Sequence, residues 1–130
     1  MRAATPEEIE LHAEAGRAAV RAHAPYSRFA VGAALRVAGS DRPVLGVNVE
    51  NASYGLTSCA ERNALFTAVA EGHTELWTIA VHADAESAPP CGACRQVMAE
   101  LAPDLVVVYR RSGELVAAPL AELLPEPFAL

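Results

Sequence analysis

The chain has no lysine, few aromatic residues and only three cysteines, and each shortage excludes something. Without lysine, arginine carries all the positive side-chain charge, scattered from Arg2 to Arg111 in no basic stripe. With a formal net charge of −6, that scatter argues against a nucleic-acid partner, whose phosphates demand clustered cations. Aromatics make up 5% of the residues and alanine dominates the apolar set. Alanine buries little area per residue, so the core is expected to be lean, which hints at association between copies. Three cysteines cannot all pair as disulfides. A sparse, odd set with C-x-x-C spacing reads as metal or redox chemistry in a reducing compartment. No apolar run approaches the length of a membrane span, and the segment from Met1 to Glu8 turns acidic without the apolar stretch of a secretory signal. The expectation is a cytoplasmic protein with no membrane partner.

What is present fits one globular domain over residues 1–130, with 52% hydrophobic and 20% charged residues. Thr5-Pro6-Glu7-Glu8 is a helix start, with Thr5 as N-cap, Pro6 in the first turn and Glu8 placed for a capping box. Ile9, Ala13, Gly16 and Val20 continue at helical spacing, and the helix is expected to stop near His23, before Pro25. Phe29 to Val37 reads as a buried strand and Val44 to Glu50 as its hairpin partner across the Ser40–Pro43 turn. A helix over Ser58 to Glu71, a strand over Leu76 to Ala83 and a helix over Gly92 to Leu101 follow. Short strands at Leu105–Tyr109 and Leu115–Ala118 end the series. The order α-β-β-α-β-α-β-β predicts an α/β sandwich with helices on a mixed sheet.

The chemistry sits in two short segments, Cys59-Ala60-Glu61 and Pro90-Cys91-Gly92-Ala93-Cys94. Cys91 and Cys94 are three apart at a helix start, which puts both thiols on one side of the first turn. Cys59 begins the other helix. A helix N-terminus carries partial positive charge and favours thiolate over thiol. Three thiolates suit zinc, and a three-ligand shell leaves the fourth position to water, as catalytic sites do. Glu61 is placed to carry a proton beside that water. Arg62, one helical turn from Cys59, can hydrogen-bond a metal-bound sulfur and offset the thiolate charge. Taken singly, each piece has a plainer reading. A buried cysteine is usually a small hydrophobe, a C-x-x-C can be redox-active or structural, and a helix glutamate usually faces solvent. The joint pattern resembles that of the zinc deaminases, whose acid follows the first ligand by two residues and whose other ligands lie in P-C-x-x-C.

On the substrate side, Asn48 and Glu50 lie two apart on a strand and project together, an amide and a carboxylate able to hold sugar hydroxyls. Alone, such a pair is more often solvated, and Phe29 alone is more often core. Together with Pro25-Tyr26-Ser27-Arg28-Phe29-Ala30-Val31-Gly32-Ala33-Ala34-Leu35, Asn48-Val49-Glu50-Asn51-Ala52-Ser53-Tyr54, Cys59-Ala60-Glu61-Arg62, Pro90 to Gln96 and Leu123 to Phe128, they give the chain its resemblance to the small, homotetrameric cytidine deaminases. The likeness runs in order over nearly the whole chain. It implies a three-layer sandwich, a mixed five-stranded sheet with helices on both faces. It implies one zinc per subunit on Cys59, Cys91 and Cys94, with Glu61 as proton shuttle and Arg62 behind the sulfurs. It implies nucleoside contacts from Asn48 and Glu50 near the ribose 3′-hydroxyl, from Phe29 near the pyrimidine and from Ala60. It also implies borrowed contacts, Ala52 and Tyr54 from one neighbouring subunit and Phe128 from another. The activity implied is hydrolytic deamination of cytidine and 2′-deoxycytidine, as in pyrimidine salvage.

Rival readings remain open at this point. A deaminase of an aminoacylated nucleoside antibiotic would leave Glu50 without its usual hydroxyl. A strand-editing deaminase is opposed by the acidic balance. A non-enzymatic zinc module would need a fourth ligand, such as His73 or His82, and a dithiol redox role would use Cys91 and Cys94 alone.

Overall fold

A computed structural model describes residues 1–130. The sheet has six strands: β1 (Arg2–Ala3), β2 (Val31–Val37), β3 (Val44–Val47), β4 (Leu76–Ala83), β5 (Val106–Arg111) and β6 (Glu114–Pro119). Four helices accompany it: α1 (Pro6–Ala19), α2 (Ala60–Ala70), α3 (Gly92–Leu101) and α4 (Leu120–Leu123). The strand order is β1-β6-β5-β4-β2-β3. Only β4 and β5 run parallel, because α3 crosses between them, and the other neighbours are antiparallel.

Alternation along the strands sorts the core into two layers. Ala33, Leu35 and Val37 of β2, Ile79 of β4 and Val107 of β5 face the larger cluster, shared with Ala60, Ala64, Leu65 and Ala68 of α2 and Cys94 and Met98 of α3. Ala34, Ala80, Val108 and Ala117 face the opposite way, onto Leu11 and Ala15 of α1. Alanine does more here than fill a lean core. It lets helices lie close to the sheet. A Cβ added at Gly32 would lie 1.9 Å from the Ala15 carbonyl oxygen, and one at Gly46 2.2 Å from that of Ala60. These two glycines set the seats of α1 and α2.

The helix start at Thr5 forms as expected. The Glu8 amide donates to Thr5 Oγ1 at 3.3 Å and the Thr5 amide to Glu8 Oε2 at 2.8 Å. Four expectations are corrected. The sheet has six strands, not five: the extra one, Arg2–Ala3, pairs with β6, and Arg2 holds Glu8 through two bonds of 2.8 Å. Helix α1 ends at Ala19, short of His23, because the chain turns so that the His23 amide reaches the Asn48 carbonyl. Strand β2 starts at Val31 and β3 stops at Val47, where Asn48 leaves the ladder to hold the preceding loop. Helix α2 begins at Ala60, with Cys59 as its N-cap.

Candidate metal centre and active site

Cys59 and Cys91 are the N-caps of α2 and α3, and neither sulfur caps its helix, so both are free for another partner. Cys94 lies in the first turn of α3 and is fully buried. The two helix starts meet. The Cys59 and Cys91 sulfurs are 4.0 Å apart, those of Cys91 and Cys94 3.5 Å, and all three lie within 4.8 Å of one another. Sulfurs on a tetrahedral zinc with Zn–S of about 2.3 Å would be ~3.8 Å apart, so the donor set fits that ion in both chemistry and spacing. No histidine joins the three sulfurs. His73 pairs with Glu71, and His82 packs on His12, their ring centres 5.0 Å apart. The fourth ligand that a structural module would need is not supplied by either.

The electrostatics favour bound cation. Hydrogen bonding with Cys94, helped by the Arg62 guanidinium, lowers the Cys59 thiol to about 5 against the opposing effect of burial. The same hydrogen bond with Cys59, burial and the nearby Glu61 charge push Cys94 up. Negative charge on the Cys59 sulfur thus holds the proton on Cys94, and a bound cation would relieve that conflict. Arg62 donates to Cys59 Sγ at 3.1 Å, as its helical spacing predicted, and its Nε is buried with no partner of its own. That contact raises the Arg62 pKa and keeps the guanidinium charged.

Glu61 is 5% exposed, and its Oε2 lies 3.7 Å from Cys94 Sγ. Burial raises its pKa, and the negative Cys59 adds to the effect. A carboxyl group lifted toward neutrality can both accept and return a proton. It faces a pocket of about 390 Å³ whose lining includes Phe29, Asn48, Glu50, Cys59, Ala60 and Cys91. A larger open groove of about 670 Å³, along Leu45, Val49 and Leu56, holds no thiol or carboxylate. Asn48 is buried and works as a brace: its Oδ1 accepts the Val31 amide at 2.9 Å and its Nδ2 donates to the Phe29 carbonyl at 2.8 Å. Glu50 accepts from the Tyr26 and Ser27 amides and the Ser27 hydroxyl, and that hydroxyl is the main reason its pKa is lowered.

The pocket does not gather every residue expected of it. Ala52, Tyr54 and Phe128 are exposed and absent from its lining. Tyr54 packs edge-on to Tyr26 at 6.1 Å, and the Phe128 backbone is pinned by the Gln96 side chain at 2.9 and 3.1 Å. Sequence reasoning passed over Ser27, Thr57, Ser87 and Pro89, which do line it. Only Ser27 left a signal, a hydroxyl two residues before Phe29 in a segment that already looked functional.

A family profile described as the cytidine and deoxycytidylate deaminase zinc-binding region matches residues 6–110. The chain belongs to this family. It is 53% identical over 119 residues to a cytidine deaminase of Halalkalibacterium halodurans, covering 88% of this chain and 89% of that one. The crystal structure of a cytidine deaminase from Burkholderia pseudomallei superposes with a TM-score of 0.86 at 45% identity, over 96% of this chain and all of the other. A blasticidin-S deaminase of Bacillus cereus is similar at the lower level of 32% over 104 residues, 73% of this chain and 74% of that protein. The family membership and the sulfur cluster together make this a zinc protein, with Cys59, Cys91 and Cys94 placed to hold the ion. No helix is long and apolar enough to cross a membrane.

Proposed function

We propose that the chain is a zinc-dependent hydrolase that deaminates cytidine and 2′-deoxycytidine to uridine and 2′-deoxyuridine, releasing ammonia, in cytoplasmic pyrimidine salvage. The observation that carries this reading is the buried Glu61 carboxylate beside three converging sulfurs, at the end of a nucleoside-sized pocket. Residues 1–130 act as one catalytic domain. Cys59, Cys91 and Cys94 hold the ion. Zinc bound there would supply a Lewis acid able to bring water to a pKa of ~7. Glu61 takes a proton from the attacking water and delivers it to N3 of the pyrimidine, then moves the proton of the new C4 hydroxyl to the amino group, so that the C4–N bond breaks, ammonia leaves and the C4 carbonyl forms. Its raised pKa suits both halves of that cycle. Arg62 offsets sulfur charge. Asn48 and Glu50 receive the sugar, Phe29 flanks the ring, and the buried Ala60 at the start of α2 gives the base a small, close wall.

The active unit is a homotetramer with shared sites, to which Ala52, Tyr54 and Phe128 contribute from neighbouring copies. Two features support it. Tyr54 and Phe128 are 77% and 74% exposed and absent from the lining of the Glu61 pocket, and apolar Leu45, Val49 and Leu56 line the open groove on the β3 edge. An aminoacylated nucleoside is the second reading, favoured only by the likeness to the blasticidin-S deaminase. The test is to incubate zinc-quantified protein with cytidine, following loss of cytosine absorbance and release of ammonia. Turnover on cytidine is expected. Turnover on blasticidin S alone would transfer the assignment to the second reading.

A further inference from the structure

Glu50 is held by more bonds than a free sugar-binding carboxylate needs. Its Oε1 accepts the amides of Tyr26 at 2.9 Å and Ser27 at 3.1 Å. Its Oε2 accepts the Ser27 hydroxyl. That hydroxyl is itself an acceptor for the Phe29 amide at 3.0 Å, so its single proton is directed to Glu50. The loop is shaped for this. Arg28, between the two, has φ of 58°, a left-handed conformation uncommon for a residue with a side chain. Its own amide is tied to the Ala24 carbonyl at 3.0 Å. The Ser27 hydroxyl therefore fastens together a wall of the pocket, at Phe29, and the carboxylate of Glu50, 23 residues along the chain.

A carboxylate offers about four acceptor directions. Three are filled from Tyr26 and Ser27, and both at Oε1 are taken. What remains is one direction on Oε2, the oxygen that Ser27 steers. We infer that Ser27 is a positioning residue, which fixes Glu50 with a single free acceptor and so makes that carboxylate a reader of one sugar hydroxyl rather than a vicinal pair. The inference rests on the nucleoside reading above and deepens it. It gives a physical reason for a site that accepts ribosides and one class of deoxyriboside alike: the carboxylate has nothing left for a second hydroxyl.

The experiment compares wild type, Ser27→Ala and Ser27→Thr on cytidine, 2′-deoxycytidine and 3′-deoxycytidine, with zinc content measured for each. Ser27 is exposed, so removing its hydroxyl spares the core. For Ser27→Ala we expect KM for cytidine to rise about tenfold, the scale of a lost charge-assisted hydrogen bond, with kcat changed less than about twofold and zinc retained. The same rise should appear with the deoxynucleoside that keeps the hydroxyl Glu50 reads and vanish with the one that lacks it. Ser27→Thr keeps the hydroxyl and should recover most of the KM. An equal penalty on all three nucleosides would mean general damage to the loop and overturn the inference. So would a Thr variant as weak as the Ala variant, or a fall in kcat at unchanged KM. The deaminase reading stands or falls separately, on whether wild type turns over cytidine at all.

Discussion

Gly46→Ala adds one methyl group and should disable the molecule at a distance from its chemistry. Gly46 lies in β3, directly under the first turns of α2. The new Cβ would sit 2.2 Å from the Ala60 carbonyl oxygen, 2.5 Å from the Ala64 amide nitrogen and 2.9 Å from the Ala64 Cβ. Two of these are backbone atoms, which cannot rotate aside. Relief requires α2 to lift by roughly 1 Å, since non-bonded heavy atoms settle at about 3.5 Å or slightly less in polar contacts. Overpacking of this kind typically costs ~1–3 kcal/mol, and rigid backbone on one side puts this case at the upper end. The same displacement moves Cys59 and Glu61, carried on the first turn of α2, away from Cys91 and Cys94 on α3. A misplacement of about 1 Å can cost ~10²-fold in rate. The matched control is Gly16→Ala, where the new methyl would stand 3.4 Å from the His82 ring, an ordinary contact. Inside helix α1 that change should be neutral or stabilising by about 0.5–1 kcal/mol. Urea unfolding, zinc release to a chelator and kcat/KM, measured on both variants, check the pair. A Gly46→Ala protein as stable and as active as wild type would refute the argument that α2 is seated by that glycine.

Other perturbations follow from the same contacts. Cys91→Ala should lose zinc and stability together, and a metal content still near one ion per chain would remove Cys91 from the ligand set. Arg62→Gln takes away the cation at Cys59 Sγ, so it should weaken zinc retention by about tenfold while the protein stays folded; chelator competition reads this. Acid should destabilise the fold through His12, which burial, with His82 and Arg110, lowers from 6.5 to about 4. The unfolded chain takes up that proton first, so the contribution is complete above pH 6.5 and is lost as pH falls from there through about 4. The loss is at most ~3 kcal/mol at 1.36 kcal/mol per pKa unit, and His12→Gln should flatten the pH dependence of unfolding in that window.

The metal centre was legible because it is local. Each cysteine lies at a helix start, and helix starts announce themselves through turn chemistry and spacing. The position of Arg62 one turn from Cys59 follows from helical geometry alone, and the structure places its guanidinium 3.1 Å from the sulfur. The capping box at Thr5 was equally readable. What escaped depends on partners distant in sequence. Arg2–Ala3 is too short to show strand periodicity, and it exists because β6 offers a free edge. The early end of α1 is set by the reach of His23 to Asn48 and Val49, not by any residue within the helix. The role of Ser27 was hidden for the same reason, since it depends on a carboxylate 23 residues along the chain. Glycine at 32 and 46 carries no local signature either; only the helices pressed against those positions explain it.

Whether Glu61 moves protons beside a zinc ion held by three cysteines is decided by comparing wild type with Glu61→Gln, each with zinc counted. Glutamine keeps the size and hydrogen-bonding capacity of Glu61 and removes its acid–base function. About one zinc per chain is expected in both proteins, with ammonia release from cytidine by wild type and turnover lower by at least ~10² in the variant. A zinc-loaded variant that deaminates cytidine at close to the wild-type rate would contradict that role for Glu61.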